Sequence, residues 1–207
     1  SIPEVLVLRR EGSLRGKTLR RLRLGLTKVS LAGADLRGCR FEHCDLDDCD
    51  LSETDLSDAI FDHVRMPGCR LQGALLSGTT FQECHLHEAD FSGAILQGAA
   101  FHECELLNTR FLRARLTRCE FSGGNLAGLR LAGAVLIRCA FHPDSKTPHL
   151  GGVQLARADF SRATVTDSAL RGANLIRADL SGALLVRCDL GGAQTHHAPR
   201  EGLSVIA

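Results

Sequence analysis

The chain has no tryptophan, no tyrosine and a single methionine among its 207 residues. Its aromatics are nine phenylalanines and nothing else. That removes the side chains that most often stack on nucleic-acid bases or anchor protein interfaces. An excess of charge is also missing: 25 Lys and Arg balance 24 Asp and Glu, leaving a net charge of +1. No global field draws the molecule to nucleic acid or to a membrane surface. No apolar run approaches membrane-spanning length, and no secretory segment is visible. The chain begins at Ser1 without a Met, which fits an N-terminal segment trimmed upstream.

What is there is a beat of five. Every fifth residue from Leu26 to Phe141 is Leu or Phe, except Met66. The beat returns from Leu155 to Leu190, where only Val165 departs. We call this position i. A column of smaller residues sits at i−2, as in Ala34, Cys39, Cys44, Cys49 and Thr54. All nine Phe fall on i and all nine Cys on i−2. Five matches neither the 3.6 of a helix nor the 2 of a strand, so this is an internal repeat. It suits a chain that turns a corner every five residues, with i and i−2 inward and the rest outward. Thirteen of the 21 Gly lie at i+2, where a corner with positive φ favours them. Corners with Glu, Arg, Asp or His at i+2 are expected to use a second turn type.

With units such as Ala34-Asp35-Leu36-Arg37-Gly38, the chain resembles the pentapeptide-repeat family over about residues 26–193. The resemblance implies an all-β fold: a right-handed quadrilateral β-helix (a pentapeptide-repeat solenoid) with four units per coil, one external loop and terminal caps. It also predicts a period of twenty. Phe41, Phe61, Phe81, Phe101, Phe121 and Phe141 obey it, as do the all-Leu positions from Leu36 to Leu136. The i positions suffice for about eight coils, a rod of roughly 35–40 Å.

Inward-facing cysteines should behave as small hydrophobes and stay as free thiols, consistent with a cytoplasmic protein. The spacing Cys39, Cys44, Cys49 is the repeat itself and not a zinc knuckle. His43 and His63, in column with Glu83 and Glu103, are read as a solvated face and not a metal site. No nucleophile–base–orienter set and no phosphate-cradling Gly motif can be singled out, so no catalytic, cofactor or metal residues are assigned.

Three breaks divide the chain. Residues 1–25 are basic and keep the rhythm poorly, which reads as an N-terminal cap. Between Phe141 and Leu155 lie nine residues more than the beat requires, with two Pro. They make loop 142–152 an external excursion within the β-helix of 26–193. In the quinolone-resistance members of the family, projecting loops contribute to protecting DNA gyrase. By that resemblance His142, Asp144, Lys146 and His149 are candidate partner contacts. The tail, 194–207, is similar to the C-terminal cap of gyrase-interacting members, where a helix and an apolar strand form a homodimer. Here the helix would be short and interrupted by Pro199. Leu203, Val205 and Ile206 are the candidate cap or dimer residues.

Outward charge is segregated. Residues 41–62 carry nine acids and no Lys or Arg, a collar that includes Glu42, Asp45, Asp47, Asp48, Asp50 and Asp55. Residues 110–138 carry a basic belt that includes Arg110, Arg118, Arg130 and Arg138, opposed by Glu120 alone. The resemblance implies a non-enzymatic protein-binding solenoid that modulates or protects a type II DNA topoisomerase, DNA gyrase, by partial DNA mimicry. The alternative is a generic protein-interaction scaffold or adaptor, or a fragment of a larger effector or secretion-associated protein. Direct nucleic-acid binding along the belt is disfavoured by the net charge of +1 and the lack of interleaved aromatics.

Overall fold

The computed structural model describes residues 14–24, 30–142, 155–168 and 170–206. They form a right-handed, four-sided parallel β-solenoid of about nine coils. A parallel β-helix follows from the repeat: each five-residue side is too short for a helix, and stacking side on side satisfies backbone groups that no single coil can pair.

We number the faces in chain order from the Phe column. The first face is a seven-stranded parallel sheet, β1 (Thr18–Arg20), β2 (Arg40–Glu42), β3 (Ile60–Asp62), β4 (Thr80–Gln82), β6 (Ala100–His102), β8 (Glu120–Ser122) and β10 (Ala140–His142). The fourth face holds six strands, β5 (Ile95–Gln97), β7 (Arg115–Thr117), β9 (Val135–Ile137), β11 (Thr164–Thr166), β12 (Leu184–Val186) and β13 (Ser204–Ile206). The second and third faces are ladders of single bridges, such as Asp45↔Arg65↔His85 and Asp50↔Arg70↔Asp90.

The register is twenty residues per coil, as with Phe41↔Phe61 and Leu96↔Leu116. Across the external loop Leu136 pairs with Val165, 29 residues on, so nine residues are inserted and no face is skipped. Phe160 accordingly rejoins the third face above Leu131, the column of Phe91 and Phe111.

The core is a narrow shaft of i and i−2 side chains. The Phe rings of the first face stack with centroids 4.7–4.9 Å apart and planes within 9° of parallel. Phe91 and Phe111 stack at 4.8 Å on the third face and present edges to the first ladder at 5.9–6.3 Å. The i−2 polar atoms are satisfied inside the shaft: the Thr79 and Thr109 hydroxyls donate to the Leu56 and Leu86 carbonyls at 2.9 and 2.8 Å. Cysteines do the same, as with Cys119 Sγ to the Leu96 carbonyl at 3.1 Å. All nine Cys are free thiols. Burial pushes the Cys49 thiol up to about 12, and the Cys69 and Cys104 thiols well above their usual value.

Two corner types do occur, but residue type does not sort them. One closes a four-residue turn, as where the Ala34 amide donates to the Leu31 carbonyl at 3.0 Å. The other ends a strand without that bond. Both take Gly and non-Gly at i+2, always with φ between 48° and 72°. Glu53 (φ 56°) and Gly73 (φ 66°) stack in the same corner column.

The solenoid also runs further than the beat of Leu and Phe. Leu14, Leu22 and Leu24 are buried, and β1 pairs with β2 at an offset of 22 instead of 20. At the other end β13 pairs in parallel with β12, Leu185 against Val205, so the tail is a further coil and not the short helix expected there. Thr195 to Ala198 closes as a turn, the Ala198 amide donating to the Thr195 carbonyl at 3.2 Å. These end segments raise the count from the expected eight coils to about nine.

Candidate partner-binding surface

The acidic collar sits on the early coils, but most of its charge is answered. Glu42 is gripped by Arg20 at 2.7 Å and by Arg40 at 2.5 Å. Arg65 reaches Asp47 at 2.9 Å, and Arg70 reaches Asp50 at 3.4 Å. Arg37 lies 3.6 Å from Asp55, and Asp62 meets both Arg40 (3.1 Å) and His63 (2.7 Å). Arg40 to Glu42 and His63 to Asp62 are local pairs across the edges of the 41–62 window, while the other partners come from the coil above or below, about twenty residues away. Asp45 turns its carboxylate to the Asp47 amide at 3.2 Å. Of the collar, Asp48, Glu53 and Asp58 make no ion pair among the described residues; they project from corners.

The basic belt is different. Arg110 and Arg130 are bridge neighbours on the third face, and Arg118 and Arg138 occupy one corner column. None of these four, nor Arg113 and Arg115 between them, forms an ion pair among the described residues. Among the described residues the belt is the larger group of charges without an ion pair, with Asp90 and Asp159 as the ladder neighbours of Arg110 and Arg130. It lies just below the point where the external loop leaves the solenoid. A shallow groove there is lined by Leu107, Asn108, Gly128, Arg130, Arg157 and Asp159.

His142, at the loop's base, is exposed and lies 3.9 Å from Glu120. Asp144, Lys146 and His149 lie outside the described residues. At the tail Leu203 packs against the core while Val205 and Ile206 are exposed. The His43 and His63 rings lie with centroids 5.0 Å apart and planes tilted by 41°, and His63 also reaches Glu83 at 3.3 Å. Among the described residues no group of three or more His, Cys, Asp or Glu could hold a metal ion. Nor is any helix there long and apolar enough to cross a membrane.

Sequence reasoning missed the apolar fourth face. Leu75 and Ile95 stand 41% and 43% exposed at i−1 positions, and Ile137 further along stands 36% exposed at i+1. Reading the i−1 residues as a column at period twenty would have shown it.

A comparison with curated proteins found no match. The fold resembles that of a trypsin-treated variant of QnrB1, a plasmid-mediated fluoroquinolone resistance protein (TM-score 0.50, 18% identity, covering 94% of this chain and 86% of that one). HetL, a pentapeptide repeat protein involved in heterocyst differentiation regulation from the cyanobacterium Nostoc sp. strain PCC 7120, matches at 24% identity (TM-score 0.31, 95% and 93% covered). Family models described as "pentapeptide repeat region" and "pentapeptide repeats (8 copies)" match residues 34–111 and residues 94–133, 114–142 and 150–193. The chain belongs to the pentapeptide-repeat family.

Proposed function

We propose that the chain is a non-enzymatic, protein-binding rod that modulates or protects a type II DNA topoisomerase. The observation that carries the protein-binding part is the belt of Arg110, Arg118, Arg130 and Arg138, which lies beside the base of the external loop and makes no ion pair among the described residues. Unpaired arginines on a rigid scaffold are ready to meet carboxylates on a partner. Resemblance to the quinolone-resistance branch supports a topoisomerase as that partner. DNA mimicry has a limited basis in this chain, since arginines answer Glu42, Asp47, Asp50 and Asp55 and leave the corner acids to act. The test is gyrase supercoiling and drug-induced cleavage with protein titrated from sub-stoichiometric to excess. Dose-dependent inhibition or rescue, lost on deleting 142–150, supports the reading. No effect at micromolar protein sinks it.

The second reading, a scaffold for another partner, is favoured by the sign of the belt. A surface built to imitate duplex DNA would not leave arginines uncompensated. A pull-down in which the wild type, but not a belt variant, captures a protein other than a topoisomerase would establish it.

A further inference from the structure

The fourth face is complementary to itself. On one coil it carries Glu53, Asp55 and Asp58; three coils on, the same three positions carry Arg113, Arg115 and Arg118. The two coils between them carry Leu75 and Ile95 at the same i−1 position, both exposed. The corners flanking those two coils are all glycine: Gly73, Gly78, Gly93 and Gly98. Beside the two apolar side chains the centre of the face carries only the uncharged Ser77 and the exposed Gln97.

We propose that this face binds the same face of a second copy, with the rods antiparallel. A two-fold axis lying in the interface, along the strand direction, reverses the coil order and keeps left and right corners matched. It sets Glu53 against Arg113, Asp55 against Arg115 and Asp58 against Arg118, and repeats all three pairs at the other end. Leu75 of each copy meets Ile95 of the other at the middle. Isologous contacts of this kind require each patch to be its own complement. The parallel arrangement would instead set like charges against each other and is rejected by the same residues.

Glu53, Asp58 and the three arginines have no ion-pair partner within the described residues, and Asp55 has only Arg37 at 3.6 Å. The pairing therefore displaces little that already exists. The contact spans four coils, a projected area of roughly 300 Å² a side, below the size of stable specific interfaces. The dimer should be weak, reversible and sensitive to salt, because its outer pairs are exposed. This contact is separate from the tail and involves no partner protein.

Sedimentation velocity over a concentration series at low salt tests it, using three samples: wild type, Arg115→Glu/Arg118→Glu, and Asp55→Arg/Asp58→Arg. Arg115, Arg118 and Asp58 are exposed, and Arg is already accommodated at corners such as Arg118. Asp55 also accepts hydrogen bonds from the Ser57 amide and hydroxyl, so its variant should melt somewhat lower while remaining folded at the assay temperature. Each variant alone should lose self-association by at least about 100-fold, since like charges then meet at both ends. An equimolar mixture of the two should regain it, because every charge pair in the heterodimer is opposite. Wild type that stays monomeric up to millimolar concentration at low salt overturns the proposal. So does a dimer unaffected by the swaps, or a mixture that fails to recover.

Discussion

At the residue scale, the five-residue unit asks for a left-handed backbone at i+2 and a small side chain at i−2. Gly124 is where both demands meet. It occupies an inward i−2 position with φ 71°, and a β-carbon there would collide with the Cys104 carbonyl oxygen. Gly124→Ala should cost about 3 kcal/mol, combining left-handed strain with a backbone clash; urea unfolding reads it. Gly93→Ala, whose β-carbon would meet nothing within 4 Å, isolates the strain alone and should cost about 1 kcal/mol. The thiols offer a second check. Eight are buried and Cys188 is only half-buried. A thiol reagent on the native protein should modify Cys188 first and reach the other eight only on unfolding.

Ion pairs set a pH dependence. The Arg37 guanidinium beside Asp35 lowers its carboxyl from 3.8 to about 2, and Asp50, Asp62 and Asp167 are lowered too, chiefly by hydrogen bonds from Ser52, His63 and Arg187. Folded values below the unfolded ones mean that this stability is present above about pH 4 and lost as pH falls toward 2. The urea midpoint should drop across that window. Molar salt should shrink the change, because the groups are exposed.

At the scale of the element, each coil is held by the coils above and below. Phe101 sits between Phe81 and Phe121 and touches the edges of Phe91 and Phe111. Phe101→Ala should cost about 4 kcal/mol. Because contacts run only between neighbours, the loss should divide the rod into two weaker units and broaden the unfolding transition. Phe141→Ala, at the top of the same ladder with one stacked neighbour, should cost less. Calorimetry on the two variants compares them directly.

What the sequence revealed at this scale follows from the strictness of the repeat. The twenty-residue stacking, the Phe ladder, the inward cysteines and the nine-residue insertion all follow from counting i positions. The end coils were hidden for physical reasons. Leu14, Leu19 and Leu24 keep the beat of five, but two residues out of phase with Leu31, so they look like noise. In the tail, Thr195 and Arg200 occupy i positions and break the Leu pattern, while Ala193, Ala198 and Leu203 quietly continue the i−2 column and pack on the core. Most of the collar's ion pairs escaped because they join residues about a coil apart. Charge counted along a window is not charge counted on a surface.

At the scale of the molecule, nine coils at about 4.8 Å make a rod roughly 40 Å long. Its acids are largely answered at one end; the belt arginines near the middle make no ion pair among the described residues, while Arg171 and Arg187 beyond them pair with Asp189 and Asp167. Such a rod offers a broad, rigid surface, and the function proposed for it places contact on its faces and its loop. Binding of fluorescently labelled protein to purified gyrase holoenzyme tests this most directly, comparing wild type with the Arg110→Ala/Arg118→Ala/Arg130→Ala/Arg138→Ala variant. Saturable binding by the wild type, weakened at least about 30-fold in a variant of unchanged melting temperature, is the expected result. No saturable binding at micromolar concentration, or equal binding by the variant, would contradict it.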